Sequence, residues 1–295
     1  MANRQEHQQE VCRFLQKHFS IHAWDFSLPQ GTGMETYFVH GNGQEYFVKV
    51  GVAIERYQVM AEIGLTPPLL ACGQLESGLS IIVQPLITGR KPSRSDYRER
   101  LESVVTIVNT MHHHPRVREM FQAPSSTLYQ EAGLRALHSL RRRWERHRAQ
   151  VPKVAEFVDH SLEELAQQIH QFSGGGLAAS HNDICDANWL FADNGDIYIV
   201  DFESMSMDDP AFDLGALLWW YYPPELRGQF LEIAGYSYDH EFRFRMRVRM
   251  ALHCLSITLP REGSFDRFSA ELHDQALVDF RAILEGRENP QGYDA

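Results

Sequence analysis

The chain has 295 residues, of which 43% are hydrophobic and 23% are charged, and its formal net charge is −11. This is the mixture of a globular protein, which excludes collagen-like, coiled-coil and wholly disordered chains, and the length predicts one large domain or two lobes. An acidic chain is a poor binder of a phosphate backbone, so we expect no nucleic-acid partner. The same charge is compatible with a cationic substrate.

Cysteine spacing and hydropathy predict a cytoplasmic protein. No apolar run approaches the roughly 20 residues that a membrane span needs, and the polar N-terminus is unlike a secretory signal. The four cysteines (Cys12, Cys72, Cys185 and Cys254) are far apart and form no CxxC pair. Such spacing is typical of reduced thiols rather than of a disulfide framework or a zinc site.

The N-terminal part has the pattern of a β-rich lobe. The predicted elements are a helix near residues 11–19, strands over 35–40 and 45–50, a helix over 53–63 and a strand over 79–83. The Asn42-Gly43 step between the first two strands favours a tight hairpin. Gly64 and the two prolines that follow it end the second helix.

Beyond residue 93 the pattern changes to helices. The predicted elements are helices over residues 96–111, 134–148 and 161–172, strands over 189–192 and 197–200, and two or three further helices. Ser161 and Glu164 have the spacing of a capping box, which predicts that the third helix begins at Ser161. We therefore predict an α+β fold with an N-terminal lobe over residues 1–86, a hinge near 84–89 and a larger helical lobe over 87–295 that carries one β-hairpin.

The most informative segment contains Asp183, Asn188 and Asp201. Asp183 and Asn188 precede a predicted strand, and Asp201 ends the strand that returns from the hairpin. The hairpin holds the strand ends together, so we expect these three side chains to converge. Oxygen ligands of this kind suit Mg²⁺, which takes one or two carboxylates together with phosphate and water. Turn capping explains any one of these residues equally well, but it does not explain their joint placement around one hairpin.

The order and spacing match the kinase catalytic loop H-R-D-x-x-x-x-N with its downstream metal-binding Asp. The segments HNDICDAN and IYIVDFESMSMDDPAFDLG resemble the aminoglycoside phosphotransferase and choline/ethanolamine kinase family. This resemblance implies a bilobal protein-kinase-like fold, with ATP and Mg²⁺ as cofactors and a small-molecule hydroxyl as the phosphoryl acceptor. It also implies that Asp183 is the catalytic Asp, that Asn188 and Asp201 hold Mg²⁺, and that His181 and Asp213 brace the loop.

Lys49 is the second candidate for nucleotide binding. Strand alternation places it on the face opposite to Val48 and Val50, and a lysine inside an apolar strand needs a partner because burying an unpaired ammonium is costly. The family resemblance implies that ATP phosphates and a helix carboxylate fill this role, and we predict Glu55 as the carboxylate, with Glu62 as the competitor. The alternative is an edge-strand lysine that guards against aggregation.

Two further segments are assigned to the nucleotide by their position in the resemblance. Gly31, Thr32 and Gly33 precede the Lys49 strand and have the composition of a loop whose backbone N–H groups bind phosphates, although an ordinary turn explains them equally well. Gln84 and Leu86 fall where the resembling kinases bind adenine through backbone groups of the hinge.

The acceptor is less well defined by the sequence. Glu203, Asp208, Asp209 and Glu225 are candidates for contact with a cationic or hydroxylated acceptor. The aromatic run from Trp219 to Tyr222 fits either an aromatic box for a quaternary ammonium or core packing. The histidines before Pro115 are interpreted as a helix end, and the basic run over residues 141–148 as a solvated helix face.

We therefore predict a phosphotransferase that moves the γ-phosphoryl group of ATP to an amino alcohol of the choline/ethanolamine kind or to an aminoglycoside or macrolide. The acid that follows F-D-I-G in choline kinases is absent from the stretch after Gly215, which argues against choline itself. A protein kinase is disfavoured because Asp201 is followed by Phe202-Glu203 and no Ala-Pro-Glu follows. A silent kinase-like module that binds a nucleotide or a partner remains the alternative.

Overall fold

The computed structural model describes residues 2–20, 23–27, 35–121, 128–260 and 268–293. These residues fall into two compact units, one drawn from Met1–Lys91 and Ala187–Glu203 and the other from Pro92–Asp186 and Ser204–Ala295. The functional division into a nucleotide-binding lobe over 1–86 and a catalytic lobe over 87–295 stays a prediction.

The first unit is built on a five-stranded antiparallel sheet. Its strands are β1 (Asp25–Ser27), β2 (Thr36–Gly41), β3 (Gln44–Val50), β4 (Ala71–Gln74) and β5 (Ser80–Pro85), in the spatial order β1-β2-β3-β5-β4. Asn42 and Gly43 form the turn between β2 and β3 with φ angles of 54° and 76°. Asn and Gly tolerate this left-handed backbone better than other residues, so the predicted hairpin is confirmed.

Strand alternation separates the core of this unit from its functional face. Helix α1 (Ala2–Phe19) contributes Val11 and Leu15 to a buried cluster that includes Val48 and Val50 of β3. Lys49, between them in sequence, points to the other face of the sheet, as the alternation predicts. Helix α2 (Ile54–Glu62) follows β3 and ends just before Gly64, whose φ is 77°.

The hairpin that carries Asn188 and Asp201 belongs to the first unit. Strands β8 (Trp189–Ala192) and β9 (Ile197–Ile199) pair with each other, and β6 (Gly89–Arg90) pairs with β8. The backbone N–H of Ile199 also donates to the carbonyl of Leu65 at 2.9 Å. These hydrogen bonds tie the hairpin to β6 and to the segment after α2 in the first unit, whereas the sequence analysis placed it among the C-terminal helices.

Helices dominate the second unit. They are α3 (Arg94–Glu99), α4 (Leu101–His113), α5 (Pro115–Glu119), α6 (Tyr129–His147), α7 (Pro152–Ile169), α8 (Ala211–Tyr221), α9 (Pro224–Ile233), α10 (His240–Ser256) and α11 (Ala270–Leu284). Two short strands, β7 (Ala178–Ser180) and β10 (Ser206–Asp208), pair antiparallel. The helix predicted over residues 96–111 is two helices that meet at Arg100.

The predicted start of α7 at Ser161 is wrong. The helix begins at Pro152, a residue suited to a first helical position because it has no N–H to leave unpaired. Ser161 lies inside α7, where its hydroxyl donates to the carbonyl of Phe157 at 2.8 Å. A serine in the capping pattern can make this bond one turn back instead, so the local motif does not fix the helix start.

Chain-wide properties agree with the sequence. All four cysteines are free thiols. Over the described ranges, the helices lack the combination of length and hydropathy that crossing a membrane requires. The sheet of the first unit and the helices of the second confirm the α+β class.

Candidate active site

Lys49 is held in a buried cluster within the first unit. Its side chain is 8% exposed, and its ammonium donates to Asp201 at 3.1 Å, to Glu203 at 2.9 Å and to the hydroxyl of Tyr57 at 3.1 Å. Two carboxylates and a hydroxyl therefore compensate the desolvation of one ammonium.

The helix partner of Lys49 is Tyr57 rather than the predicted Glu55. Residues 55 and 57 point roughly 200° apart around a helix, so both cannot face the sheet. Tyr57 is buried while Glu55 is exposed. The carboxylate comes instead from Glu203, which also accepts a hydrogen bond from the hydroxyl of Tyr57 at 2.9 Å.

Glu203 and the turn around it place Asp201. Burial raises the pKa of Glu203, and the neighbouring Asp201 adds to this shift while Lys49 opposes it. Arg56 donates to the carbonyls of Phe202 at 2.6 Å and of Glu203 at 2.8 Å. Asp201 itself has a φ of 68°, a conformation that costs energy for a residue other than glycine. These contacts hold the strained backbone and leave the Asp201 carboxylate half exposed.

Asn188 lies at the same end of the hairpin as Asp201. It closes a 3₁₀ turn over Asp186–Asn188, its side chain is buried, and its carbonyl accepts from the N–H of Val200 at 2.9 Å. The amide residue and the strand end before Asp201 are therefore neighbours across the hairpin.

Asn188 and Asp201 are a suitable donor set for magnesium. Among the described residues, the structure contains no group of three or more His, Cys, Asp or Glu side chains that would hold a metal ion by themselves. Magnesium does not need such a group, since it binds one or two carboxylates together with phosphate and water oxygens. One carboxylate and one amide oxygen meet this requirement.

In the second unit, the loop that follows β7 is fixed by its backbone. The N–H groups of His181 and Asn182 donate to the two carboxylate oxygens of Asp213 at 2.6 and 2.9 Å. Asn182 has a φ of 62°, and its side chain donates to the hydroxyl of Ser206 at 2.7 Å. The backbone that leads into Asp183 is thus anchored on both sides.

Asp213 is itself supported by a histidine that the sequence analysis did not assign. It is 1% exposed at the start of α8, and the imidazole of His112 contacts its carboxylate at 3.2 Å. Burial opposes ionisation of Asp213, but the hydrogen bond and charge of His112 lower its pKa below the usual value. The histidine run does end helix α4, as predicted. His112 follows the buried Val108 by one helical turn, and that periodicity is the signal that would have identified it.

The segments assigned to adenine and the phosphates differ in outcome. Gln84 is buried and donates to the carbonyl of Pro67 at 2.5 Å. The N–H of Leu86 donates to the carbonyl of Glu45 at 3.0 Å, so that donor is already used within the sheet. Gly31, Thr32 and Gly33 lie outside the described residues, and their role stays a prediction.

A cavity of about 880 Å³ opens beside the anchored loop in the second unit, and its lining residues include Asp183, Asn182, Ser204, Asp208, Phe212 and Arg249. Arg143, from the basic run predicted to be solvated, is also buried at this cavity and donates to the carbonyl of Leu259 at 3.0 Å. Asp183 therefore lies at the wall of a cavity with room for a small molecule.

The acidic candidates for acceptor contact are mostly occupied by protein cations. Glu203 contacts Lys49, Asp208 accepts from Arg249 at 2.8 Å, and Asp209 accepts from Arg245 at 3.0 Å. Burial raises the pKa of both Asp208 and Asp209, and the arginines oppose that shift. Glu225 is exposed at the start of α9.

The aromatic run serves packing. Trp219 and Tyr222 are buried, Tyr221 stacks on Tyr97, and Trp220 contacts the ring of His253. None of these four aromatic residues is among the described residues that line the cavity, so the aromatic box is not supported.

The comparison with protein families identifies the chain. Residues 27–249 match the family model of APH, the phosphotransferase enzyme family, and this match covers most of the sequence. The chain belongs to the phosphotransferase enzyme family. Membership confirms the resemblance found in the HNDICDAN and DFE segments and shows that the chain is an enzyme of the kinase type.

Solved structures of phosphotransferases and choline kinases share the fold. A thermostable mutant of aminoglycoside phosphotransferase APH(4)-Ia, in ternary complex with AMP-PNP and hygromycin B, has a TM-score of 0.64 and 17% identity over 94% of this chain and 98% of its own. The GDP complex of aminoglycoside 2′-phosphotransferase-IIIa has a TM-score of 0.65 and 14% identity over 96% and 99%. Choline kinase from Cryptosporidium parvum has a TM-score of 0.66 and 11% identity over 94% of each chain. At such identities the likeness confirms the kinase-like fold.

Proposed function

We propose that this phosphotransferase uses ATP and Mg²⁺ to transfer the γ-phosphoryl group to a hydroxyl of a small molecule. The observation that carries the proposal is the position of Asp183, which follows an anchored backbone and lines a cavity of about 880 Å³. Small-molecule sites have volumes of roughly 300–1,000 Å³. An acidic side chain at the wall of such a cavity is suited to act on an acceptor hydroxyl.

The nucleotide is assigned to residues of the first unit. Lys49 binds the phosphates, and Asn188 and Asp201 would hold Mg²⁺, which when bound neutralises charge on the phosphate oxygens. The family resemblance assigns Gly31, Thr32 and Gly33 to the phosphates and the segment from Gln84 to Leu86 to the adenine. The complexes of structural relatives with AMP-PNP and GDP support a nucleotide but leave the base open.

Asp183 acts on the acceptor. Its carboxylate accepts the proton of the acceptor hydroxyl as that oxygen forms a bond to the γ-phosphorus. The bond between the γ-phosphorus and the bridging oxygen breaks, and ADP leaves. General-base assistance of this kind contributes about 10²–10⁴ in rate. Positioning of the two reactants supplies much of the remainder.

A screen for ADP release tests the proposal. The purified chain is given ATP with either Mg²⁺ or EDTA, and acceptors drawn from amino alcohols, aminoglycosides, macrolides, sugars and hydroxy acids. We expect Mg²⁺-dependent ADP release with at least one class, together with an acceptor whose mass increases by one phosphoryl group. Nucleotide binding by calorimetry without ADP release for any acceptor class contradicts the proposal and favours a silent binding module.

A further inference from the structure

The cavity beside Asp183 contains a buried arginine that the proposed transfer does not use. Arg249 of α10 is 2% exposed and lines the cavity. Its Nη2 atom donates to Asp208 at 2.8 Å, and its guanidinium lies 4.9 Å from the centroid of the Phe212 ring. Asp208 and Phe212 line the same cavity, so the cation is held at the wall by a carboxylate and an aromatic face.

Two donors of this guanidinium are not satisfied by the described protein. The Nε and Nη1 atoms of Arg249 are shielded from bulk solvent and have no hydrogen-bond partner among the described residues. Buried N–H donors nearly always have a hydrogen-bond partner, because an unsatisfied donor costs free energy. Two unsatisfied donors on a residue that lines the cavity therefore indicate a missing acceptor group. Arginine N–H groups donate charge-assisted hydrogen bonds to carboxylate oxygens, and the edge formed by Nη1 and Nη2 is one with which a guanidinium binds a carboxylate through two parallel bonds.

The same arrangement argues against a cationic acceptor. An ammonium group in this cavity would need a free carboxylate or a free aromatic face. Asp208 is already paired with Arg249, and the guanidinium already lies against one face of Phe212, the one phenyl or indole ring among the described lining residues. The remaining described carboxylate of the cavity is Asp183, which the proposed function assigns to the acceptor hydroxyl.

We propose that the acceptor carries a carboxylate in addition to the hydroxyl that is phosphorylated, and that Arg249 determines this specificity. The inference rests on the proposed function and names the substrate class as hydroxy acids. A small rotation of the long Arg249 side chain presents Nη1 to the carboxylate. A monoanion suits the site better than a phosphate ester, because Asp183 and Asp208 line the same cavity and repel a second negative charge.

Acceptors that differ at one group test the proposal. One set is D-gluconate, D-glucitol and D-glucamine, and a second is γ-hydroxybutyrate, butanediol and aminobutanol. Each set presents a carboxylate, a neutral alcohol and an ammonium on the same carbon chain. Binding is measured by calorimetry and kcat/KM by ADP release. We expect the carboxylate to be favoured about 10- to 100-fold over the neutral member, the ratio for one charge-assisted hydrogen-bonded pair.

Variants of Arg249 in α10 test whether this residue causes the carboxylate preference. Arg249→Gln should reduce the carboxylate preference over the neutral acceptor to within about threefold, since the lost interaction is made by the carboxylate alone. Because Arg249→Gln leaves Asp208 without its cation, the double variant Arg249→Gln/Asp208→Asn removes the ion pair as a whole and guards against unfolding. Arg247→Gln is the control, since Arg247 lies on the same helix and is not among the described lining residues.

The outcomes separate this inference from the proposed function. Wild-type protein that binds the ammonium or neutral member as well as the carboxylate, or that binds neither carboxylate at millimolar concentration, overturns the carboxylate site even if another acceptor releases ADP. A carboxylate preference that survives in both Arg249 variants overturns the assignment to Arg249. Arg249-dependent carboxylate binding without ADP release for any acceptor upholds the site and removes the phosphoryl transfer.

Discussion

At the scale of single residues, the ammonium of Lys49 is the charge on which the nucleotide assignment depends. It is buried, and the two carboxylates and the hydroxyl that surround it compensate its desolvation. Asp201 is shared, because the same carboxylate contacts Lys49 and is assigned to Mg²⁺. Under the proposed assignment, nucleotide binding exchanges part of an existing ion pair for phosphate and metal contacts.

Removing the ammonium should lower the free energy of unfolding, because the carboxylates around it lose their compensating charge. Lys49→Met leaves Glu203 beside Asp201 without a cation. We expect a loss of on the order of 2 kcal/mol in the free energy of unfolding, less than the 3–5 kcal/mol of a fully buried pair, because Asp201 is 48% exposed. Urea denaturation measures this loss. The nucleotide KM should also rise, because the phosphates lose their lysine.

A double variant provides the control for this interpretation. Lys49→Met/Glu203→Gln removes the buried carboxylate together with its partner, and we expect it to be at least as stable as Lys49→Met alone. If the losses in the free energy of unfolding of Lys49→Met and Glu203→Gln add up to the loss in the double variant, Lys49 and Glu203 are not energetically coupled and the cluster has no role in holding the lysine.

The raised pKa of Glu203 predicts a particular dependence of stability on pH. A carboxyl whose pKa is higher in the folded state binds its proton more tightly there, so folding loses stability as the pH rises above its usual value of 4.5. Wild type should therefore become less stable relative to Glu203→Gln as the pH rises from 4.5. Below pH 4.5 the stabilities of the two proteins should be most similar. Unfolding midpoints of both proteins across this range test the sign. A wild type that gains on the variant with rising pH contradicts the assigned shift.

At the scale of elements, the loop before Asp183 owes its position to two helices. Asp213 of α8 accepts both loop N–H groups, and His112 of α4 supports that carboxylate. The backbone that leads into Asp183 is thus held by hydrogen bonds to a buried anion.

Replacing the anchor should affect turnover more than nucleotide binding. Asp213→Asn turns one acceptor oxygen into a donor and leaves the buried N–H of His181 or Asn182 unpaired, which costs about 1–3 kcal/mol of stability. We expect kcat to fall while the nucleotide KM stays within about twofold, since the Lys49 cluster is untouched. Asp274→Asn, an exposed change on α11, should alter neither quantity. An unchanged kcat in Asp213→Asn removes its positioning role.

At the scale of the whole molecule, local patterns in the sequence predicted the elements better than the contacts between them. Alternation placed Lys49 opposite Val48 and Val50, and the Asn42-Gly43 turn marked its hairpin, because both signals depend on neighbouring residues alone. The kinase-like motif fixed the family for a related reason, since its spacing reflects one strand–turn–strand unit.

Contacts between distant segments were the ones missed. Tyr57 rather than Glu55 faces Lys49 because the phase of α2 depends on how the helix packs, which its own sequence does not record. The pairing of Glu203 with Lys49 spans more than a hundred residues, so the sequence around Glu203 does not reveal it and leaves Glu203 as a candidate for acceptor contact. Arg249 had no local signature at all. Its significance comes from Asp208, Phe212 and the cavity that they share.

The central claim is that Asp183 promotes transfer of a phosphoryl group from ATP, and label transfer from [γ-³²P]ATP tests it most directly. The comparison is between wild type, Asp183→Asn and the control Asp193→Asn, which makes the same chemical change at an exposed hairpin position. We predict that Asp183→Asn retains its thermal stability and nucleotide affinity but transfers label about 10²–10⁴ times more slowly, while Asp193→Asn matches wild type. Label transfer at the wild-type rate by folded Asp183→Asn would contradict the account.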